Sequence, residues 1–424
     1  MNYSGKKLMV LGGSFEHLKL VEAALEMGLS VYVADYYQTS PAKEIATKAF
    51  NLDISDIDAL VDVCRKEKVD GVLSTSIDFC MPRYQAVCKK LGLPYFGGAL
   101  SYEILSNKDV FKRTCRQYGI GTPREYSSNV DDWSNQGRLP FEVFVKPASR
   151  SGSQGAEVCS TYEEVRTALE RARSVSLSGE AVVESNMKGY DGVTVTLYFE
   201  NGIPFVERIA DIIFSDEADG LGNVTAASKT PSKYTTMYFN SVHRRLVQML
   251  KGIGVTQGPV FFQAFVDDDD FYFYDPGRRF PGVEYERAFK KATGIDVLKK
   301  SIAFALDGRV SGEFGSFRED SYLLNGMMSL TLFLYARAGI IAEMRGFDVI
   351  AQMEEVVFLA EIRGTGVEIM ATGDTRQRVA QVMILADGIN AIRDVVKRVY
   401  ELVTVLDERG EDMLVSKIDP ESIR

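Results

Sequence analysis

Glu142-Val143-Phe144-Val145-Lys146-Pro147 runs into Ala148-Ser149-Arg150-Ser151-Gly152-Ser153-Gln154-Gly155, an apolar strand that delivers a lysine to a loop of small residues. Backbone N–H groups in such a loop approach anion oxygens closely, because glycine has no Cβ to hold them off. Ser151, Gly152, Ser153 and Gly155 are therefore candidates for a phosphate cradle, with Lys146 as a cation at its edge. The loop is not a P-loop, since no Gly-x-x-x-x-Gly-Lys-Ser/Thr occurs. Taken alone it is an ordinary polar loop, so its neighbours decide the reading.

Upstream, Lys108 at the start of a helix read over 109–118 and Lys112 within it are one turn apart, so they share a face. Downstream, Val182-Val183-Glu184 is a strand that delivers a carboxylate. The chain then passes Met187, turns at Gly189 and presents Asp191. Further on, the strand Pro259 to Phe265 and the strand Phe271 to Asp275 read as a hairpin across the acidic turn 267–270. Hairpin pairing puts Gln263 and Asp275 within reach of one another, as two oxygen ligands for a hard cation. Arg278 and Arg279 follow, suited to neutralising a phosphoryl group. The plain alternative for the hairpin is a solvated tip with paired charges.

The first hundred residues have another texture. Lys7 to Leu11 is a buried-strand run, Gly12-Gly13-Ser14 a tight turn, and Leu18, Val21, Ala24 and Leu25 recur at helical spacing. A strand over 30–35, a helix over 58–67, a strand at 71–74 and a helix over 81–91 follow. That alternation predicts a doubly wound parallel sheet, an α/β domain. Asp35 closes the second strand, where dinucleotide folds place an acid, but Gly-x-Gly-x-x-Gly is absent and a plain strand-to-helix turn is preferred. From about Lys108 the pattern becomes α+β, with Asn201-Gly202 as a hairpin turn between two strands. Beyond about Ser311, short strands and a helix over 389–400 predict a third, smaller lobe. The expected division is 1–107, 108–310 and 311–424.

Composition narrows the function. A formal charge of −10 argues against a nucleic-acid surface. The most apolar stretch, Met327 to Met344, is interrupted by Arg337 and is too short for a membrane span. No secretory signal is read at the start, and five scattered cysteines read as buried or free thiols in a reducing cytoplasm. Two histidines exclude a multi-histidine metal centre. His243 reads as a helix-surface residue, and the stretch 211–234 as a mixed-charge loop.

The ordered set Lys108, Lys146-Pro147, Ser/Gly loop, Glu184, Gly189-x-Asp191, Gln263, Asp275-x-x-x-Arg279 and Ala292-Thr293-Gly294-Ile295-Asp296 resembles the ATP-grasp superfamily. The nearest branch looks like the carbamoyl-phosphate-synthetase large-subunit type, with stand-alone L-amino-acid ligases as similar proteins. The resemblance implies a pre-ATP-grasp domain over 1–107, an ATP-grasp domain over 108–310 and a closing small lobe over 311–424. Within the second, it implies a lid lobe near 115–187 and a catalytic lobe near 188–310. It also implies ATP and Mg²⁺ (or Mn²⁺) as cofactors, with small-molecule carboxylate and amine substrates, and it is compatible with a homodimer. By that resemblance Lys108, Lys146 and a helping Lys112 would hold phosphates, Glu184 and the backbone near Met187 would read adenine, and Asp191 would take the ribose. Gln263 and Asp275 would bind the metal, and Arg279 would stabilise the transferring group. The implied activity is a carboxylate–amine (or carboxylate–thiol) ligase working through an acylphosphate. A bicarbonate-phosphorylating enzyme and a non-catalytic ATP-binding module remain the alternatives. The family's metal-binding asparagine is replaced here by Gly277.

Overall fold

In the computed structural model the described residues are 3–129, 138–148, 155–176, 178–215, 221–222, 224–267, 269–310 and 312–424, with backbone alone for 138–140. The N-terminal sheet is parallel, built from β1 (Lys7–Leu11), β2 (Ser30–Asp35), β3 (Lys48–Asn51) and β4 (Gly71–Leu73) in the order β3-β2-β1-β4. Leu8 to Leu11 are fully buried because helices cover both faces, as a parallel sheet requires. These helices are α1 (Leu18–Glu26), α2 (Ile57–Glu67) and α3 (Cys80–Leu91), and α3 stops at Gly92 in the left-handed region. The glycine turn after β1 is filled by protein: the Gly13 amide donates to Asp35 Oδ2 at 2.6 Å. A side chain at Gly13 would collide with Ser40 and Asp35, which supports the plain-turn reading.

After α4 (Ala99–Ser106) comes α5 (Lys108–Gln117). Asn107 caps α5 by accepting from the amides of Asp109 and Val110, and this fixes Lys108 in the first turn. A small antiparallel sheet follows, from β5 (Glu125–Tyr126), β6 (Arg138–Pro147), β7 (Glu157–Thr161) and β8 (Ala181–Ser185), in the order β5-β8-β6-β7. The helix α6 (Tyr162–Val175) packs on it and begins with a Thr161/Glu164 capping box.

Among the described residues the large sheet has nine strands. Its first half is β9 (Asp191–Glu200), β10 (Ile203–Phe214), β11 (Thr225–Thr230), β12 (Gly258–Val266) and β13 (Phe271–Gly277). Asn201 and Gly202 both have positive φ, the two-residue turn that matches strand twist. One face carries Val193, Val195, Leu197, Phe262 and Ala264 against α5 and α7 (His243–Gly252). The opposite face is polar near the hairpin. Toward Tyr198 it meets α8 (Tyr285–Thr293), which together with α9 (Val297–Asp307) shares a core with the N-terminal sheet.

Three observations revise the sequence reading. The apolar run near 327–344 is not peripheral: β14 (Met328–Ala336) pairs with β11, Ala227 opposite Leu332, so the sheet crosses position 310 unbroken. The sheet continues through strands at Arg378–Ala386 and Val356–Glu361, backed by the helix Gly388–Leu402. The stretch 211–234 is not simply a loop, since Asp211 to Phe214 end β10 and Thr225 to Thr230 form β11; Asp216, Glu217 and Asp219 lie outside the described residues. The burial pattern of β11 shows why, as a strand covered on both faces carries no polar–apolar alternation. All five cysteines are buried and free, and no described helix is long and apolar enough to cross a membrane.

Candidate functional site

Residues from four separate elements meet at one place. Lys108 Nζ lies 3.0 Å from Asp275 Oδ1, joining the start of α5 to the end of β13. Lys146 Nζ, at the end of β6, lies 2.7 Å from Glu184 Oε2 on the paired strand β8. The same ammonium stands 5.7 Å from the Tyr274 ring centre, next to Asp275. The small sheet therefore faces the hairpin of the large one, with charged groups of both in the gap.

Lys112 is placed differently from the phosphate-helper reading. It is fully buried, and its ammonium contacts Glu184 Oε1 and Glu125 Oε1, with Asp109 at 3.8 Å. Both Glu184 oxygens are thus taken by lysines, so this side chain does not present itself to an adenine amino group. Burial would raise the Glu184 carboxyl, but the charges of Lys146 and Lys112 outweigh it and hold it at about 2. Burial lowers the Lys146 ammonium, and Lys112 and Lys108 lower it further against the pull of Glu184. Lys146 thus sits among like charges in a dry place, a setting that an incoming anion would relieve.

The hairpin forms as read. Gln263 is directly opposite Asp275, and a register shift immediately after Gln263 marks a bulge. The two arginines that follow part ways. Arg278 is 3% exposed and is spent on structure, donating to the carbonyls of Pro259 (2.5 Å) and Gln257. Arg279 faces the site and makes a two-pronged pair with Asp78, at 2.5 and 2.7 Å. Asp78 follows β4, so the N-terminal domain supplies one wall. The sequence reading missed it, although the carboxyl end of a parallel strand is where doubly wound sheets bind ligands.

Gly277 has a physical cause. A Cβ there would fall 1.9 Å from a ring carbon of Phe261, its partner across the hairpin. That ring also underlies Arg279, whose guanidinium carbon is 4.6 Å from its centre. Gly277→Asn should therefore push Phe261 aside and cost about 1–3 kcal/mol. It would appear as a lower urea midpoint at unchanged slope, with a smaller loss in a Phe261→Leu background. A full-sized loss in both backgrounds would show that the ring is not the obstacle.

The remaining predicted residues fall around this centre. Asp191 is exposed, 2.5 Å from Lys233 Nζ and bonded by the Tyr234 hydroxyl. It borders a cavity of about 410 Å³ with Tyr190, Asp211, Lys229 and Arg424. Met187 lies at the turn after β8, where its carbonyl accepts from the Tyr190 amide. Gly155 has φ +72°, and a Cβ there would lie 2.6 Å from Val175. Ser151, Gly152 and Ser153 lie outside the described residues. Among the described residues no three Asp, Glu, Cys or His side chains group closely enough to hold a metal. A cation beside Gln263 and Asp275 would take its other ligands from water or from a bound phosphate.

Known proteins resemble this chain in sequence and in fold. Residues 8–80 match the family described as PylC-like, N-terminal domain. The formate-dependent phosphoribosylglycinamide formyltransferase of Methanocaldococcus jannaschii is 22% identical over 219 residues, 49% of this chain and 54% of that protein. The chain thus spans about half the length of the curated relatives it matches. The crystal structure of an L-amino acid ligase from Bacillus licheniformis superposes with a TM-score of 0.74 at 17% identity, covering 96% of this chain and 99% of that one. The chain has the ATP-grasp fold. A biotin carboxylase from Campylobacter jejuni, crystallised as a β-γ-ATP complex, has the same ATP-grasp architecture. Its TM-score is 0.71 at 16% identity, over 94% of this chain and 92% of that one.

Proposed function

We propose that this chain is an ATP-dependent ligase that joins a carboxylate to an amine through an acylphosphate. The observation that carries the reading is the convergence of Lys108 on Asp275 and of Lys146 on Glu184, beside Tyr274 of the same hairpin. The residues present fit a magnesium-bound nucleotide: a hard, oxygen-only pair in Gln263 and Asp275, with two lysines close enough to depress Lys146. When bound, that nucleotide supplies the phosphoryl group that turns a carboxylate into an acyl donor with a good leaving group.

The chain's own part is positioning and charge neutralisation, which dominate phosphoryl transfer. Lys108 would exchange Asp275 for phosphate oxygens, and Lys146 would reach them with the N–H groups that its pairing with Glu184 leaves free. Asp275, released from Lys108, would hold the cation. Arg279, fixed on Phe261 and by Asp78, would face the developing negative charge. Asp191 would take a ribose hydroxyl at the mouth of its cavity. The adenine edge would fall to the backbone between Glu184 and Met187, since the Glu184 carboxylate is occupied.

ADP release should be screened against pooled carboxylates and amines, alone and together. The expected result is ADP formed only when both classes are present. Release driven by bicarbonate alone would replace the ligase reading with carboxyphosphate chemistry. Nucleotide binding without ADP in every pool would replace it with a binding module.

A further inference from the structure

The large sheet carries a second set of buried polar groups that the chemistry above does not use. Along β10, Val206 pairs with Leu197 and Arg208 with Thr196, leaving Glu207 as the extra residue of a bulge. A bulge turns both neighbouring side chains toward one face. Arg208 is 1% exposed and donates to two hydroxyls, Thr230 Oγ1 at 3.0 Å and Ser228 Oγ at 2.7 Å. Tyr285 covers its guanidinium at 4.6 Å. Among the described residues no carboxylate pairs with it. Glu207 is fully buried, and among the described residues neither of its carboxylate oxygens has a hydrogen-bond partner.

A buried guanidinium without a counter-ion and a buried carboxyl without a donor, side by side yet not joined, are each costly. Orphaned groups of this kind call for an occupant. The sheet register connects them to the proposed reaction centre. Arg208 is opposite Thr196, Thr196 opposite Phe261, and Phe261 opposite Gly277, all on the face that carries Gln263 and Asp275. At strand spacings of about 4.8 Å the bulge is roughly 10–14 Å from the hairpin. Thr196 Oγ1, midway along the row, is also buried and unpartnered.

We propose that the Glu207–Arg208 bulge binds one substrate of the reaction and that this substrate is an α-amino acid. Its carboxylate would lie against Arg208 and its ammonium against Glu207. The assignment rests on the ligase reading for its reaction but on separate residues for its binding. One zwitterion supplies both missing partners, whereas a simple acid or a simple amine supplies one. Burial, and the nearby Glu286 carboxylate, push the Glu207 carboxyl well above its ordinary range against Arg208 and Lys19.

The test is thermal unfolding of the full chain, with and without MgATP, in the presence of each common α-amino acid and of its deamino and decarboxy counterparts. One or more amino acids should raise the midpoint while the matched acid and amine do not. Glu207→Gln should weaken that binding by roughly 10- to 100-fold, the loss of one charged hydrogen bond. Its ligand-free midpoint should stay close to the wild type, because the carboxamide keeps the shape of the carboxyl and carries no charge to bury. The proposal is overturned by the absence of a response to every amino acid, by equal shifts from the deamino compounds, or by undiminished binding in Glu207→Gln. Nucleotide binding, measured on the same samples, separates the two readings. Its presence without an amino-acid response removes the bulge site alone, and its absence removes the ligase itself.

Discussion

Asp275→Ala is expected to lower ADP release by about 10²–10³-fold or more, the scale on which a preorganised charge at a transition state counts, and to leave the fold intact. Asp275 is the carboxylate of the hairpin pair, because Gln263 opposite is neutral and Gly277 offers no side chain. Among the described residues nothing else on that hairpin face can take over its charge on a divalent cation. Stability should scarcely change. Its partner Lys108 is 18% exposed and Asp275 is 24% exposed, and such half-hydrated pairs contribute at most about 1 kcal/mol. Steady-state ADP release and thermal unfolding on one preparation check both halves. Wild-type turnover in the variant would remove Asp275 from the site, and a collapsed melting curve would show that the residue is structural.

Much of this architecture was legible because the signals are local. The run Lys7 to Leu11, the Asn201-Gly202 turn and the hairpin ending in Asp275 each state their geometry within a dozen residues. The order of Lys146, Glu184, Gln263 and Asp275 then pointed to residues that the fold brings near one another. What stayed hidden depends on partners far along the chain. Arg279 meets Asp78 across 201 residues, and no periodicity reports that distance. Lys112 shares a helical face with Lys108, which is visible in the sequence. That its ammonium would be enclosed by Glu125 and Glu184 follows only from how the small sheet packs on α5. The bulge at Glu207 was equally silent, since a strand with one extra residue has the composition of any other strand. β11 misled for a similar reason: Thr225-Ala226-Ala227-Ser228-Lys229-Thr230 is polar enough to read as loop, yet it is held between β10 and β14.

Glu184→Gln is the change expected to cost the most stability. The wild-type carboxylate sits between two ammonium groups, at 2.7 Å from Lys146 and in contact with Lys112, and it is 2% exposed. Removing its charge leaves Lys112 and Lys146 facing one another in a dry interior. Glu125 remains to compensate Lys112, and no second carboxylate pairs with Lys146 among the described residues. Breaking one side of such a buried cluster costs about 3–5 kcal/mol near neutral pH. The acid dependence tells this mechanism from loss of packing. The Glu184 carboxyl is held at about 2 in the folded chain, against about 4.3 when unfolded. Its contribution is therefore fully present above about pH 4.3 and fades as the pH falls toward 2. Urea unfolding of the two proteins should differ most near neutrality and converge on acidification. ATP affinity should fall alongside, since Lys146 loses the group that aims it. A constant gap at every pH would assign the loss to shape, and no gap near neutrality would mean that the two lysines do not depend on Glu184 at all.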